Sequence, residues 1–276
     1  MPELPDTYRE VRKSIVAFVH RFGQSPTPPP FPHIIGTGFV IDSDGIVATN
    51  DHVIDEIGRA PRPPGFQEWP VAGMLLHMTE HGMVGVPLPI VGVFKPQDMP
   101  VTGVYYGEKP DVGAVMVRMR GLPTLTADPK PALHEGALVA TAGYPMGTPA
   151  LVAPGYLNQL GPTLQAGIIS AVHPFPCDLP HGFTVNVMTQ GGASGSPVFR
   201  PEDGSVIGIV YAGLHENEQT PTNYTFAVPS LYLAKLVEQV RAVPEFAEHS
   251  QYPTLSEALG TMRYINALTG QPFEKS

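Results

Sequence analysis

Apolar residues fall along this chain in short runs, and few of them recur at helical spacing. Runs at 14–19, 34–41, 45–48, 83–94, 112–117, 137–142, 164–172, 183–188 and 205–211 are mostly strand length and rich in Val and Ile. Branched side chains of that kind suit a pleated surface. The 29 glycines and 33 prolines are scattered between the runs without a fixed period, and they supply the breaks that a many-turned β chain needs. Two stretches read as helix. Over 230–240, Ser230 stands where an N-cap is expected, and Leu231, Leu233, Leu236 and Val237 form a helical stripe. The second covers about 255–268 in the tail. Residues 25–32 read as a stiff proline-rich loop. Many short strands closed by a helix near residue 240 fit either a sandwich or a pair of barrels.

Composition narrows the partners. The 276 residues suffice for one large domain or two half-sized ones, with a sizeable core. The 16 Lys plus Arg against 25 Asp plus Glu leave a net charge of -9, which works against gripping phosphate backbones or anionic lipid. Neither nucleic acid nor a membrane is therefore expected as the main partner. No apolar run approaches the roughly 20 residues that span a bilayer. The single cysteine, Cys177, allows no internal disulfide, and with no Lys or Arg beside it to lower its pKa it reads as an inert thiol. The first residues place charges on both sides of a short apolar stretch and show no small-residue cleavage pattern. They do not read as a signal peptide, so a cytoplasmic location is expected.

Three segments carry chemistry. In 189–199, Gly191, Gly192 and Gly195 surround Ser194 just ahead of a strand. A serine hydroxyl is a poor nucleophile unless a base takes its proton and donors stabilise the oxyanion, and a sharp glycine turn can present Oγ and backbone N–H groups to one point. In 36–54, two short strands flank the turn Asp42-Ser43-Asp44-Gly45 and lead to His52. In 110–117, Asp111 opens an apolar strand, a costly place for a carboxylate without a partner.

Together these segments resemble the trypsin-like peptidases, most closely the HtrA-like branch. The carrying motifs are Thr49-Asn50-Asp51-His52-Val53, Asp111-Val112-Gly113-Ala114-Val115 and Gly192-Ala193-Ser194-Gly195-Ser196-Pro197. Their order, His then Asp then Ser, is that of chymotrypsin-type barrels rather than of subtilisin or α/β-hydrolase folds. The resemblance covers roughly residues 14–240. Gly113 stands where the family usually has alanine, which makes the match around Asp111 looser than around His52.

The resemblance implies a mainly β fold: two six-stranded antiparallel barrels with a C-terminal helix and a short helical tail. The peptidase domain would span 10–243, with a first barrel at about 34–125, a second at about 130–230 and a closing helix at 230–240, followed by a helical extension over 244–276. It implies a serine endopeptidase acting on polypeptides, with Ser194 as nucleophile, His52 as general base and Asp111 orienting the base. Backbone N–H groups of Gly192 and Ser194 would form the oxyanion hole. Met188, Tyr211, Ala212, Gly213 and Thr225 would line a pocket without a charge partner, favouring a small or medium apolar residue before the scissile bond. No cofactor or metal is implied.

Two rival readings stay in view. A non-catalytic or latent protein on the same fold would usually have lost one of the three residues. His77-Met78-Thr79-Glu80-His81 has zinc-like spacing, but that spacing works only on a helix and needs a third ligand. Gly73 and Gly82 bracket it, so a loop or strand end is expected there.

Overall fold

Side chains of the first long strand divide by parity. In β1 (Ile15–Gln24), Val16 and Phe18 point into one buried cluster while Ile15, Ala17 and Val19 point into another. Successive strand residues face opposite sides, so a strand buried on both faces must be apolar at every position. The inward set fills a closed antiparallel barrel in the order β1-β2-β3-β6-β5-β4. Its other strands are β2 (Pro32–Asp42), β3 (Ile46–Thr49), β4 (Val71–Thr79), β5 (Gly82–Phe94) and β6 (Gly113–Val117). This computed structural model describes residues 3–24, 32–79, 82–96, 109–145, 152–153, 157–158, 161–174, 181–217 and 220–261.

The second closed barrel runs β10-β11-β14-β13-β12-β7. It is built from β7 (Leu138–Gly143), β10 (Thr163–His173), β11 (Gly182–Val185), β12 (Pro197–Phe199), β13 (Val206–Asn217) and β14 (Thr220–Pro229). A small ribbon of β8 (Val152–Ala153) and β9 (Leu157–Asn158) lies between β7 and β10 in the chain. Val139, Phe183, Val185, Val198 and Ile207 pack together within this second barrel.

The outward parity set of β1 joins Phe39, Ile46 and Ala48 of the first barrel with Ala140, Ala142, Phe199 and Ile209 of the second. This seam also receives Tyr232, Leu233, Leu236 and Val240 of α3 (Leu231–Arg241) and Val11 of α1 (Leu4–Val11). Each fully buried Phe or Leu side chain contributes roughly 1.5–3 kcal/mol relative to exposure. The two barrels are thus held by a shared apolar wall, with no need of a disulfide.

Several expectations change. The first barrel starts at Ile15, well before the boundary expected near residue 34, because the apolar run at 14–19 pairs with both β2 and β4. The stretch between His52 and Asp111 supplies two barrel strands, and β4 was not legible because Gly73 and the surrounding prolines break its pattern. Ser230 does not cap α3 with its side chain; it is fully buried, and its hydroxyl donates to Asp128 O at 2.6 Å.

The tail folds back on the first barrel. Leu255, which opens α4 (Leu255–Thr261), is buried with Met119 and Leu122. Its N–H donates to Arg120 O at 2.8 Å, and Arg120 Nε donates to Tyr252 O at 2.8 Å. Arg241 Nη2 lies 2.6 Å from Asp42 Oδ2, tying the end of α3 to the β2–β3 turn. Of the tail helix expected to reach about residue 268, residues 262–276 lie outside the described residues.

Candidate active site

His52 sits in the first turn of α2 (Asp51–Arg59), a helix the apolar pattern did not reveal. Its buried face is Val53, Ile54 and Ile57, a short stripe that packs the helix against the barrel. The motif around it is structural throughout. Thr49 Oγ1 donates to Thr37 O at 2.7 Å, and Asn50 Nδ2 donates to Asp111 O at 2.7 Å. The latter bond fixes the backbone at Asp111 relative to the start of α2.

Asp111 then meets His52 twice. The backbone N–H of His52 donates to Asp111 Oδ1 at 3.1 Å, and His52 Nδ1 lies 2.6 Å from Asp111 Oδ2. An ionised carboxylate only accepts, so Nδ1 carries the proton and Nε2 is left as the basic nitrogen. The hydrogen bond to Asp111 raises the His52 pKa above its ordinary value of 6.5; burial opposes this, and the charges of Asp111, Glu56 and Asp51 add to the rise. Lys95, next after β5, partly offsets this acidic surround through ion pairs to Asp51 at 2.6 Å and Asp55 at 2.7 Å.

Gly113 allows a close approach here. A Cβ there would lie 2.4 Å from Ile54 Cδ1 and 3.0 Å from Phe94 O, so alanine would require the end of the Ile54 side chain to shift and would crowd the Phe94 carbonyl. The looser motif match at this position therefore reflects a local close approach.

Ser194 comes from the other barrel, on the turn before β12. Gly195 N donates to Val210 O at 2.9 Å, and Ser194 O accepts from Thr37 N at 2.8 Å, so the serine is stitched to both barrels. Gly195 has φ +87°, and a Cβ there would fall 1.9 Å from Thr37 O. Only glycine allows that conformation at that approach. Thr37 and Thr49 thereby bring the Ser194 turn beside the strand that leads into His52. No hydrogen bond joins Ser194 Oγ to His52 among the described residues; in unliganded sites such bonds are often long and tighten only with substrate.

A pocket of about 180 Å³ opens beside Ser194, lined by Thr189, Gln190, Gly191, Ala193, Val210, Ala212 and Gly213. Thr225 stands behind it: its Oγ1 lies 2.8 Å from Thr189 Oγ1 and donates to Val187 O at 2.7 Å. Met188 and Tyr211 are not among the lining residues. Met188 is held by its backbone to the Gln165 side chain and is 44% exposed, and the Tyr211 ring stands 6.1 Å from that of Phe226. A larger cavity of about 720 Å³, between α1, residues 123–126 and residues 203–205, shares no residue with this pocket.

The other sequence candidates separate. His77 lies on β4 opposite Val84, so a strand and not a helix carries it, while Glu80 and His81 lie outside the described residues. Cys177 also lies outside them. Among the described residues, no group of three or more His, Cys, Asp or Glu side chains is placed to hold a metal ion. Among them too, no helix is long and apolar enough to cross a membrane.

Comparison with known proteins agrees with this geometry. The chain is 24% identical over 217 residues to a probable periplasmic serine endoprotease, DegP-like, of Chlamydia muridarum, and 26% identical over 246 residues to one of Halomonas elongata. These alignments cover 79% and 87% of the chain but only 36% and 42% of the relatives, so the chain spans well under half their length. Among solved structures it shares its fold with an HtrA-type protease bound to a tripeptide, at TM-score 0.55 and 14% identity. It also shares it with the serine endoprotease of Yersinia pestis, at TM-score 0.52 and 18% identity. Those superpositions cover 87% of this chain and 64% and 67% of the two structures.

The relatives' periplasmic names overturn the expected cytoplasmic location. That expectation rested on the first residues not reading as a signal peptide, and their character does not by itself fix a compartment. Over residues 36–209, more than half its length, the chain matches the model of the trypsin-like peptidase domain, and it belongs to that family.

Proposed function

We propose that the protein is a serine endopeptidase acting outside the cytoplasm, with Ser194, His52 and Asp111 as its working residues. The observation that carries this reading is the 2.6 Å bond from His52 Nδ1 to Asp111, in a histidine three residues after Thr49, whose Oγ1 packs against the glycine-framed serine turn. With Nδ1–H given to the carboxylate, His52 Nε2 takes the proton of Ser194 as Oγ attacks the scissile carbonyl. The tetrahedral oxyanion is received by the N–H groups of Gly192 and Ser194. His52 then protonates the leaving amine, and water repeats the sequence on the acyl-enzyme. Asp111 holds the ring in place and stabilises the imidazolium.

The pocket supports a small or medium apolar residue before the scissile bond. Its walls near Ser194 are Ala212, Gly213 and Val210, and the hydroxyls of Thr189 and Thr225 are spent on each other and on Val187 O. It offers a cationic or anionic side chain no countercharge. Hydrolysis of an unstructured protein and of a peptide library tests both parts. The expected result is cleavage after apolar residues that disappears in Ser194→Ala, with the melting temperature unchanged. Cleavage that survives in Ser194→Ala would overturn the mechanism, and a profile dominated by Lys or Arg would overturn the pocket.

A further inference from the structure

The serine turn is held by one residue that belongs to neither the triad nor the pocket. Thr37, in β2, is fully buried and binds the turn at two points. Its hydroxyl donates to Gly192 O at 2.7 Å, and its backbone N–H donates to Ser194 O at 2.8 Å. The hydroxyl oxygen also accepts the Tyr144 N–H at 3.1 Å, so its single proton is directed to Gly192. The Thr37 carbonyl accepts from Thr49 Oγ1, three residues before His52.

These bonds fix two peptide planes at both ends. In the Gly192–Ala193 peptide, the carbonyl is held by Thr37 and the N–H donates to Gln190 O at 3.0 Å. In the Ser194–Gly195 peptide, the carbonyl is held by Thr37 and the N–H donates to Val210 O at 2.9 Å. The N–H groups of Gly192 and Ser194 belong to the peptides adjoining these two. A peptide is planar and only φ and ψ are soft, so clamping the neighbouring planes sets the direction in which those N–H groups point. Without the Thr37 hydroxyl, the half-buried Gly192 O loses this partner, and the Gly192–Ala193 plane is held only through its N–H bond to Gln190 O.

We propose that Thr37 is a positioning residue that holds the Gly192 and Ser194 N–H groups in the orientation that receives the oxyanion. This rests on the reading of Ser194 as the nucleophile. The test compares Thr37→Val, which keeps the shape but removes the hydroxyl, with Thr37→Ser, which restores it. kcat and KM for a peptide substrate are measured per active site titrated with a fluorophosphonate, together with affinity for a peptide boronic acid and the melting temperature. Thr37→Ala replaces Thr37→Val if the latter does not fold.

The expected result is a fall in kcat of about 10²–10³-fold in Thr37→Val, the range found for loss of one oxyanion donor. KM stays close to that of the wild type, boronate affinity falls in parallel with kcat, and Thr37→Ser recovers most of the loss. A lower melting temperature with kcat per titrated site and boronate affinity unchanged would mean that Thr37 only packs the turn, and would overturn the proposal. Ser194→Ala is run alongside. If it hydrolyses the substrate like the wild type, the reading of the nucleophile is wrong and the role of Thr37 falls with it, whatever the Thr37 variants do.

Discussion

The two halves of the candidate active site are built in different ways. On the first barrel, side chains do the work: Asn50 anchors Asp111, and Asp111 grips both the ring and the backbone of His52. On the second, the backbone does it: Gly192, Ser194 and Gly195 are held through their carbonyl and N–H groups by Thr37 and Val210. A side-chain network can be dismantled one group at a time with the fold intact. A backbone turn packed at a glycine cannot, because the space itself is the device. Changes to the side-chain network of His52 and Asp111 should therefore cost activity before stability, and changes to the packed glycine backbone of the serine turn should cost both.

On the first barrel the largest effect is expected at Asp111. Asp111→Asn removes the acceptor that fixes the proton on His52 Nδ1, and kcat should fall by about 10⁴-fold with little change in melting temperature. The pH profile sharpens this. Because Asp111 raises the His52 pKa, the acid limb of kcat/KM in the wild type should lie above pH 6.5, and in Asp111→Asn it should move down. Stability runs the other way. A group whose pKa is raised on folding stabilises fully below its unfolded value and loses that contribution as pH rises through the folded one, so acidification towards pH 6.5 favours the fold while it removes activity. An acid limb that does not move between the two proteins would contradict the pairing.

A smaller effect in kinetics but a large one in stability is expected at Gly195. Alanine there combines a positive φ with a Cβ 1.9 Å from Thr37 O, and Gly195→Ala should cost on the order of 3 kcal/mol and much of the activity. Denaturant unfolding measures it; a loss below about 1 kcal/mol would mean that the turn is not packed as described. The smallest effect is expected one residue on. Ser196 Oγ is buried with no partner among the described residues, so Ser196→Ala should leave stability within about 0.5 kcal/mol of the wild type or raise it. A loss of several kcal/mol would reveal a hydrogen bond to that hydroxyl.

The same contrast decides what could be read from the sequence. The motifs around His52, Asp111 and Ser194 stood out in the sequence because their residue types suit one chemistry, and the structure pairs His52 with Asp111. The helix under His52 was not, since α2 is short and its apolar residues Val53, Ile54 and Ile57 directly follow a strand. Gly113 looked like a weakness and is a fit to Ile54. Thr37 was passed over as part of an apolar strand, although a polar residue between Gly36 and Gly38 in such a run is the signal that marks it. Of the residues expected at a substrate pocket, Ala212 and Gly213 line the cleft beside Ser194, while the Met188 backbone is bonded to Gln165, a partner 23 positions earlier that no local pattern reveals.

The central claim is that Ser194 is a nucleophile activated by His52. Intact-mass measurement of the folded protein after exposure to a fluorophosphonate tests it most directly. One adduct per chain in the wild type, absent from Ser194→Ala and slowed in Asp111→Asn, is the expected result. A folded wild type that takes up no adduct, or a Ser194→Ala variant that takes up the same one, would contradict it.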